Sequence, residues 1–349
     1  MLTERENMLR CIDFKGPEWI PTSVGISPAT WHTYREELER ILVRHPFAVG
    51  AYEPGSVDFD DFPPVYREGE RFTDEWGSVW GNAQGGLEGV VVEHPLADWD
   101  AFDSFVPPDP LTHHERGERE PWEKTAANLA ATRRREQPVW LWVDRFYERL
   151  HFLRGYENLM VDFMTGEPKL DALIEMVLDH NLRLVEKLGE FNPDIIGFGD
   201  DLGTQTALMI SPKIFNKYLA PGYTRMFQAA KKCGARVFLH SDGCILEAIP
   251  ALIDCGLDII NPQIAANTLD GIARVIKGRL AIHLDLDRQH VLPFGTPRQV
   301  RAHIIEAATK LGDPSGGLSL QAEFQPTVPL SNIEAALQTF DEIMVRGGG

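Results

Sequence analysis

The sequence predicts an α/β protein, a (β/α)8 TIM barrel, from three observations. From about residue 138, short β-rich runs alternate with amphipathic helical patterns, which is typical of parallel β/α units. Nearly every run ends in polar residues, and a barrel gathers the carboxyl ends of its strands at the mouth that holds the site. The length of 349 residues leaves room for a barrel with insertions. A doubly wound open sheet is the alternative, but the stretch GFGDDLG lacks the spacing of a dinucleotide-binding turn.

Six runs after residue 138 have the length and composition of strands. They are VWLWVD (139–144), DIIGFGDD (194–201), RVFLHSDG (236–243), GLDIINPQ (256–263), RLAIHLDLD (279–287) and GGLSLQAEF (316–324). Helical signals lie between them. A helical apolar period begins after Pro168, and Ser211 precedes a proline as an N-cap does. Capping boxes are predicted at Thr296 and Ser331, and an apolar stripe over 245–253 predicts one more helix.

The first 137 residues are rich in proline, tryptophan and aspartate. They are expected to supply the first strands of the barrel and the insertions that cover one mouth. Neither an internal repeat nor a linker divides the sequence, so residues 1–349 are predicted to form one domain. The terminal Gly347–Gly349 carries too little side chain to pack and is expected to be frayed or foreign.

Composition and charge exclude several classes of partner. Hydrophobic residues make up 43% and charged residues 25% of the chain, as in a globular protein. A net charge of −18 and a pI near 5.0 argue against nucleic acid or an anionic membrane as partner. No apolar run approaches the ~20 residues of a membrane helix, and no secretion signal opens the sequence. The four cysteines include no CxxC, so we expect reduced thiols in a cytoplasmic protein.

His240 and Asp242 lie near the end of the run at 236–243. Side chains alternate along a strand, so Phe238, His240 and Asp242 share one face. Glu323 lies on the polar face of a later run. One imidazole nitrogen and two carboxylate oxygens leave an open position, as in a catalytic zinc site. We therefore predict that His240, Asp242 and Glu323 bind zinc. The alternatives are a histidine satisfied by hydrogen bonds inside the barrel and a strand that simply reaches solvent.

Other polar residues at the strand ends have competing interpretations. Asp287 and Cys244 are reserve ligands, but Asp287 also fits a pair with Arg288 or a cap on the following turn. The pair Asp200 and Asp201 fits a helix-capping turn as well as a site. Cys244 fits a packed thiol better than a ligand. Core or lid positions are preferred over substrate-binding roles for four tryptophans: Trp76, Trp80, Trp140 and Trp142.

One long segment makes the sequence more specific. HSDGCILEAIPALIDCGLDIINPQ resembles the uroporphyrinogen decarboxylase superfamily, whose members carry His-Ser-Cys-Gly and then Ile-Pro-x-Leu-Ile-x-x-Gly-x-Asp-x-x-Asn-Pro. Further pieces fit in order over essentially the whole chain: TERENMLRCIDFKGPEWIP, DEWGSVWGN, EHPLADWDAFDSFVPPDP, FGDDLGTQTALMISPKIF, DRQHVLPFGTPRQV and VPLSNIEAAL. The resemblance implies a (β/α)8 barrel, in agreement with the alternation of strands and helices.

The superfamily contains two chemistries. True uroporphyrinogen decarboxylases carry an amino-terminal Arg-Gln-Ala-Gly-Arg motif, which is absent here. Cobalamin-dependent methyltransferases bind zinc through a His-x-Cys pair and a later cysteine. The family histidine matches His240, the first cysteine position holds Asp242, and the later region holds Ala322 and Glu323. Thiolates suit thiol substrates, whereas this harder ligand set suits the ether oxygen of a methoxylated aromatic.

The resemblance implies a corrinoid-dependent methyltransferase of the O-demethylase type. It would move a methyl group between a small-molecule donor or acceptor and cobalamin carried by a partner corrinoid protein. The candidate catalytic residues, for substrate hydrogen bonds, proton supply or charge stabilisation, are Asp200, Asp201, Glu148, Arg145 and Asp287. The alternative is a decarboxylase that acts on a carboxylated aromatic or pyrrole. A third hypothesis is a corrinoid or small-molecule binding protein that has lost catalysis.

Overall fold

The structure, a computed structural model, describes residues 2–50 and 52–346, so the prediction for Gly347–Gly349 lies outside the described residues. Its strands are β1 (Thr22–Ile26), β2 (Arg71–Thr73), β3 (Val79–Gly81), β4 (Val90–Glu93), β5 (His113–His114), β6 (Gly117–Glu118), β7 (Trp140–Trp142), β8 (Ile195–Gly199), β9 (Arg236–Ser241), β10 (Ile259–Pro262), β11 (Ala281–Asp285) and β12 (Leu318–Phe324). The main sheet has the order β1-β12-β11-β10-β9-β8-β7. All six strands predicted after residue 138 belong to it.

The predicted α/β class is confirmed, whereas an eight-stranded barrel is not what the described residues show. Among them, seven strands form the main sheet, and only β1 comes from the first 137 residues. Strands β2–β4 form an antiparallel sheet of their own, and β5–β6 form a two-stranded one. Between β1 and β2, Pro54, Pro63 and Pro64 lack the N–H that a central strand donates, so this stretch provides no further sheet strand.

The helices follow the predicted rhythm between the strands. They are α1 (Glu4–Ile12), α2 (Pro28–Leu42), α3 (Pro46–Val49), α4 (Trp122–Arg134), α5 (Tyr147–Arg154), α6 (Tyr156–Thr165), α7 (Leu170–Gly189), α8 (Pro212–Ile214), α9 (Ala220–Lys232), α10 (Ile249–Cys255), α11 (Ile264–Asn267), α12 (Leu269–Val275), α13 (Val291–Phe294), α14 (Pro297–Leu311) and α15 (Leu330–Arg346). Short 3-10 turns cover Pro64–Tyr66 and Trp99–Ser104, and a π-helical turn covers Phe215–Leu219. None of the helices in the described part of the chain combines the length and the apolar character that a bilayer crossing requires.

Local capping signals mostly set these boundaries correctly. Ser211 caps α8, and Thr296 forms a capping box with Gln299 at the start of α14. The capping box predicted at Ser331 is wrong, because α15 already begins at Leu330. The apolar stripe over 245–253 is helical only from Ile249, where α10 begins.

Contacts divide the chain into two compact units, and the prediction of one domain stays a prediction. The first unit comprises 1–68, 83–88 and 261–349, and the second comprises 69–82 and 89–260. In the first unit, β1 and β11 pair in parallel with β12, and α14 packs on α15 through apolar residues at helical spacing. In the second unit, β7, β8 and β9 pair in parallel, and α7 packs on α9.

The core of the second unit fixes the carboxyl ends of β8 and β9. Ile196, Phe198, Val237 and Leu239 are at most 1% exposed. These four side chains share the sheet face opposite His240, and a buried face strongly specifies the register of its strands. In that register Gly199 lies opposite His240.

Candidate metal and catalytic site

The site begins where β8 and β9 end side by side. His240 is the penultimate residue of β9, Asp242 follows that strand, and Asp201 lies two residues beyond β8. The register that pairs Gly199 with His240 sets Asp201 opposite Asp242. Alternate residues share a face. The three side chains therefore project from the same face of the sheet.

Asp201, His240 and Asp242 form one group, here called the Asp–His–Asp cluster. One donor atom from each residue lies within 4.8 Å of the other two. His240 Nε2 is 3.3 Å from Asp242 Oδ1 and 3.9 Å from Asp201 Oδ1. Asp201 Oδ1 also accepts a hydrogen bond of 2.9 Å from the Asp242 backbone N–H. This bond ties the two loops together and orients the Asp201 carboxylate.

The donor set fits a divalent cation. Two ligands of one tetrahedral zinc ion are about 3.3–3.5 Å apart, given zinc–ligand distances of about 2.0–2.2 Å. The His240–Asp242 separation is already in that range, and Asp201 needs to approach by about half an ångström. The side chains of Asp201, His240 and Asp242 are 39%, 32% and 31% exposed, so a substrate has access. Three protein ligands and an open side are the arrangement of a catalytic rather than a structural zinc site.

Asp200 has a different role from its neighbour Asp201. It projects to the opposite face, is 1% exposed, and accepts hydrogen bonds from the backbone N–H groups of Phe146 and Glu148. The Tyr223 hydroxyl donates to its other oxygen at 2.8 Å. Burial raises the pKa of Asp200 to about 6 although these donors favour the carboxylate. Asp200 therefore anchors the start of α5 against β8 instead of facing the cluster.

Glu148 places a carboxyl group beside the cluster. Its Oε2 accepts a hydrogen bond of 3.3 Å from the Asp201 backbone N–H, and Arg145 Nε lies 3.3 Å away. Burial raises the pKa of Glu148 well above its ordinary value, more than Arg145 lowers it. Glu148 is therefore suited to hold a proton near neutral pH beside the cluster.

Behind Glu148 runs a chain of ion pairs that the sequence did not reveal. Arg145 Nη1 is 3.1 Å from Glu115, and Arg149 Nη2 is 2.7 Å from the same carboxylate. Arg149 is 0% exposed and also pairs with Asp74 at 2.9 Å. This chain fixes α5 and, through it, the position of Glu148.

The other predicted site residues belong to the first unit. Glu323 lies on β12, where it accepts hydrogen bonds from Arg288 and Gln325. Asp287 accepts from the backbone N–H of Gln289 at 3.0 Å and of His290 at 2.8 Å, as in a capped turn. The roles of Glu323 as a zinc ligand and of Asp287 in catalysis stay predictions.

Cys244 stays outside the Asp–His–Asp cluster, which is the one three-residue group of potential ligands in the described part of the chain. Its backbone N–H donates to the Thr204 carbonyl at 2.7 Å. Its interpretation as a packed thiol rather than a ligand stays a prediction.

Sequence reasoning assigned Asp201 to catalysis rather than to the metal. A signal was present in GFGDD: Gly197, Gly199 and Asp201 alternate on one face, and two glycines leave room before the carboxylate. No such local signal exists for Tyr223 as a partner of Asp200, because that contact joins the residue after β8 to the first turn of α9.

The fold and the site define an α/β protein with a carboxylate–histidine cluster at the carboxyl ends of parallel strands. The family model described as uroporphyrinogen decarboxylase (URO-D) matches residues 149–343, more than half of the chain. The chain therefore belongs to the uroporphyrinogen decarboxylase family, which confirms the resemblance found in the sequence. No curated protein matches it.

Solved structures add a likeness of fold. A methyltransferase from Methanosarcina mazei is 16% identical, with 98% of this chain and 99% of that chain covered and a TM-score of 0.67. A dihydropteroate synthase from Xanthomonas albilineans is 17% identical over 44% of this chain and 54% of that chain, with a TM-score of 0.29. An L-ribulose 3-epimerase is 12% identical over 64% and 78%, with a TM-score of 0.38. The first of these likenesses shows a fold shared over both whole chains.

Proposed function

We propose that this protein is a corrinoid-dependent methyltransferase. It moves a methyl group between a small O-methyl substrate and cobalamin carried by a partner corrinoid protein. The observation that carries the proposal is the Asp–His–Asp cluster, an open donor set for a divalent cation such as zinc. The fold shared with the Methanosarcina mazei methyltransferase supports it.

The ligand set favours an oxygen-bearing substrate. Asp201, His240 and Asp242 would hold the cation, which supplies a Lewis acid at the open side of the cluster. Carboxylate and imidazole ligands form a harder site than thiolates, and hard cations prefer oxygen. An ether oxygen is therefore a better partner for this site than a thiol.

Demethylation of an ether breaks the bond between methyl carbon and oxygen. The corrinoid would supply Co(I) as the nucleophile for the methyl group, and the released oxygen, which keeps the bonding electron pair, would need a proton. Glu148 is the candidate donor, because burial keeps its pKa raised and its carboxyl lies against the Asp201 backbone. Arg145, 3.3 Å from Glu148, would stabilise the carboxylate that remains.

Decarboxylation is the second candidate, since the family description itself names a decarboxylase. Asp201, Asp242 and Glu148 make this region rich in carboxyl groups, and the amino-terminal arginine motif of true decarboxylases is absent. A polycarboxylate would therefore meet these carboxyl groups without the arginine motif that binds it in true decarboxylases. We expect no CO2 release from uroporphyrinogen, and steady release would favour the lyase.

Metal analysis combined with a methyl-transfer assay tests the proposal. The wild type should retain about one zinc ion per chain and transfer methyl groups from a methoxylated aromatic to added cob(I)alamin, followed by its visible absorption. His240→Ala should lose both zinc and transfer while keeping the fold, because His240 lies at a strand end outside the apolar core. His32→Ala is the matched control, since His32 is exposed and pairs with Asp60. Full activity of His240→Ala, or turnover by zinc-free wild type, would contradict the proposal.

A further inference from the structure

An aromatic row lies on the same sheet face as the Asp–His–Asp cluster. Gly197 pairs in register with Trp142 on one side and with Phe238 on the other. The next row toward the carboxyl ends pairs Gly199 with His240. Alternate residues share a face, so the aromatic row lies directly before the row of His240.

Gly197 lets Trp142 lie over the strand. A Cβ at Gly197 would be 2.7 Å from the Trp142 Cε3 atom, so the indole occupies the volume of the missing side chain. The Phe238 ring meets the indole at 81° with centroids 5.4 Å apart, an edge-to-face contact that fixes its orientation. Trp142 is nevertheless 51% exposed. An oriented, accessible indole surface therefore lies one row from the cluster.

Gly199 leaves open space between that indole and the cluster. A Cβ at Gly199 would meet no atom within 4 Å, and its backbone is outside the left-handed region. Glycine is thus required there by neither packing nor conformation, unlike at Gly197. Two strand residues span about 7 Å, which suits a six-membered ring carrying one ether oxygen.

We propose that Trp142 and Gly199 form an aromatic subsite for the ring of a methoxylated aromatic substrate. The ring stacks on the Trp142 indole above Gly199, and its ether oxygen faces His240. The identity of the reacting group rests on the proposed function, whereas the ring-binding surface rests on the exposure of Trp142 and the space at Gly199. Trp140 is tilted by only 21° from Trp142, so the two indoles do not surround a cation as an aromatic cage does.

Binding of two matched ethers tests the subsite independently of catalysis. Methoxybenzene and methoxycyclohexane share ring size and ether oxygen, but only the first has a π face. Ligand-observed NMR titration should show tighter binding of methoxybenzene to the wild type. Trp142→Leu should reduce that preference by about threefold to tenfold, the range of a single aromatic pair. Trp122→Leu, on α4 and stacked on Phe191, is the matched control and should keep the wild-type preference.

A second variant keeps the test decisive if Trp142→Leu does not fold. Gly199→Leu fills the open space and should weaken both ethers about tenfold or more, since added methylenes in an occupied site are strongly unfavourable. Zinc content of both variants should equal that of the wild type. Unchanged methoxybenzene binding in Gly199→Leu, or tighter binding of tetramethylammonium than of methoxybenzene, would overturn the proposal.

The two proposals fail in different ways. Suppose that Trp142→Leu loses the preference for methoxybenzene over methoxycyclohexane but the wild type transfers no methyl group. That result would support the subsite and refute the methyltransferase. Equal methyl transfer from both ethers by the wild type, with no change in Trp142→Leu, would support the methyltransferase and refute the subsite.

Discussion

Replacing Asp200 by asparagine should flatten the pH dependence of stability. Burial raises the pKa of this carboxyl from 3.8 to about 6 in the folded protein. At 1.36 kcal/mol per pKa unit this corresponds to about 3 kcal/mol. Because the folded state binds the proton more tightly, the contribution is complete below about pH 4 and is lost as the pH rises through about 6. Between acidic and neutral pH, the free energy of unfolding of the wild type should therefore fall by about 3 kcal/mol more than that of Asp200→Asn.

Urea unfolding followed by tryptophan fluorescence at several pH values measures this difference. The pKa of Glu148 is also raised, chiefly by burial and in part by the Asp200 charge. Asp200→Asn removes that charge, so the pH dependence that Glu148 contributes also falls and the comparison shifts in the same direction. Tyr223→Phe should change the pH dependence of stability in the opposite direction. It removes the hydroxyl that donates to Asp200 at 2.8 Å, so the pKa of Asp200 should rise further and the pH dependence should become steeper. Parallel pH profiles for wild type and Asp200→Asn, or a flatter profile for Tyr223→Phe, would refute the reasoning.

Two further predictions concern buried charge and the third ligand. Arg149→Leu should lower the free energy of unfolding by about 3–5 kcal/mol, because it leaves the buried Asp74 carboxylate without its cation; a loss below about 1 kcal/mol in urea unfolding would contradict this. Asp201→Ala should weaken zinc binding about 100- to 1000-fold in a chelator competition. This range follows if the binding free energy of a structural zinc site is divided equally among its ligands. Glu323→Ala, whose carboxylate already pairs with Arg288, should change zinc binding little; the reverse ranking would identify Glu323 as the third ligand.

The positions of the strands are predictable because their signals are local. Apolar runs after residue 138 that end in polar residues mark every later strand of the main sheet, and the alternation of side chains along a strand is enough to place His240 and Asp242 on one face. The amino-terminal region is less predictable. Its strands β2–β6 pair among themselves, and prolines interrupt the stretch between β1 and β2.

The sequence by itself determined the α/β class and the His240–Asp242 pair, since both depend on periods of a few residues. Only the tertiary structure shows a further carboxylate beside that pair, because the register of β8 against β9 brings Asp201 to Asp242 across 41 residues of chain. It also buried Asp200 and exposed Trp142, for which the sequence favours a core or lid position. Register and exposure result from packing between distant segments, and no local pattern encodes them.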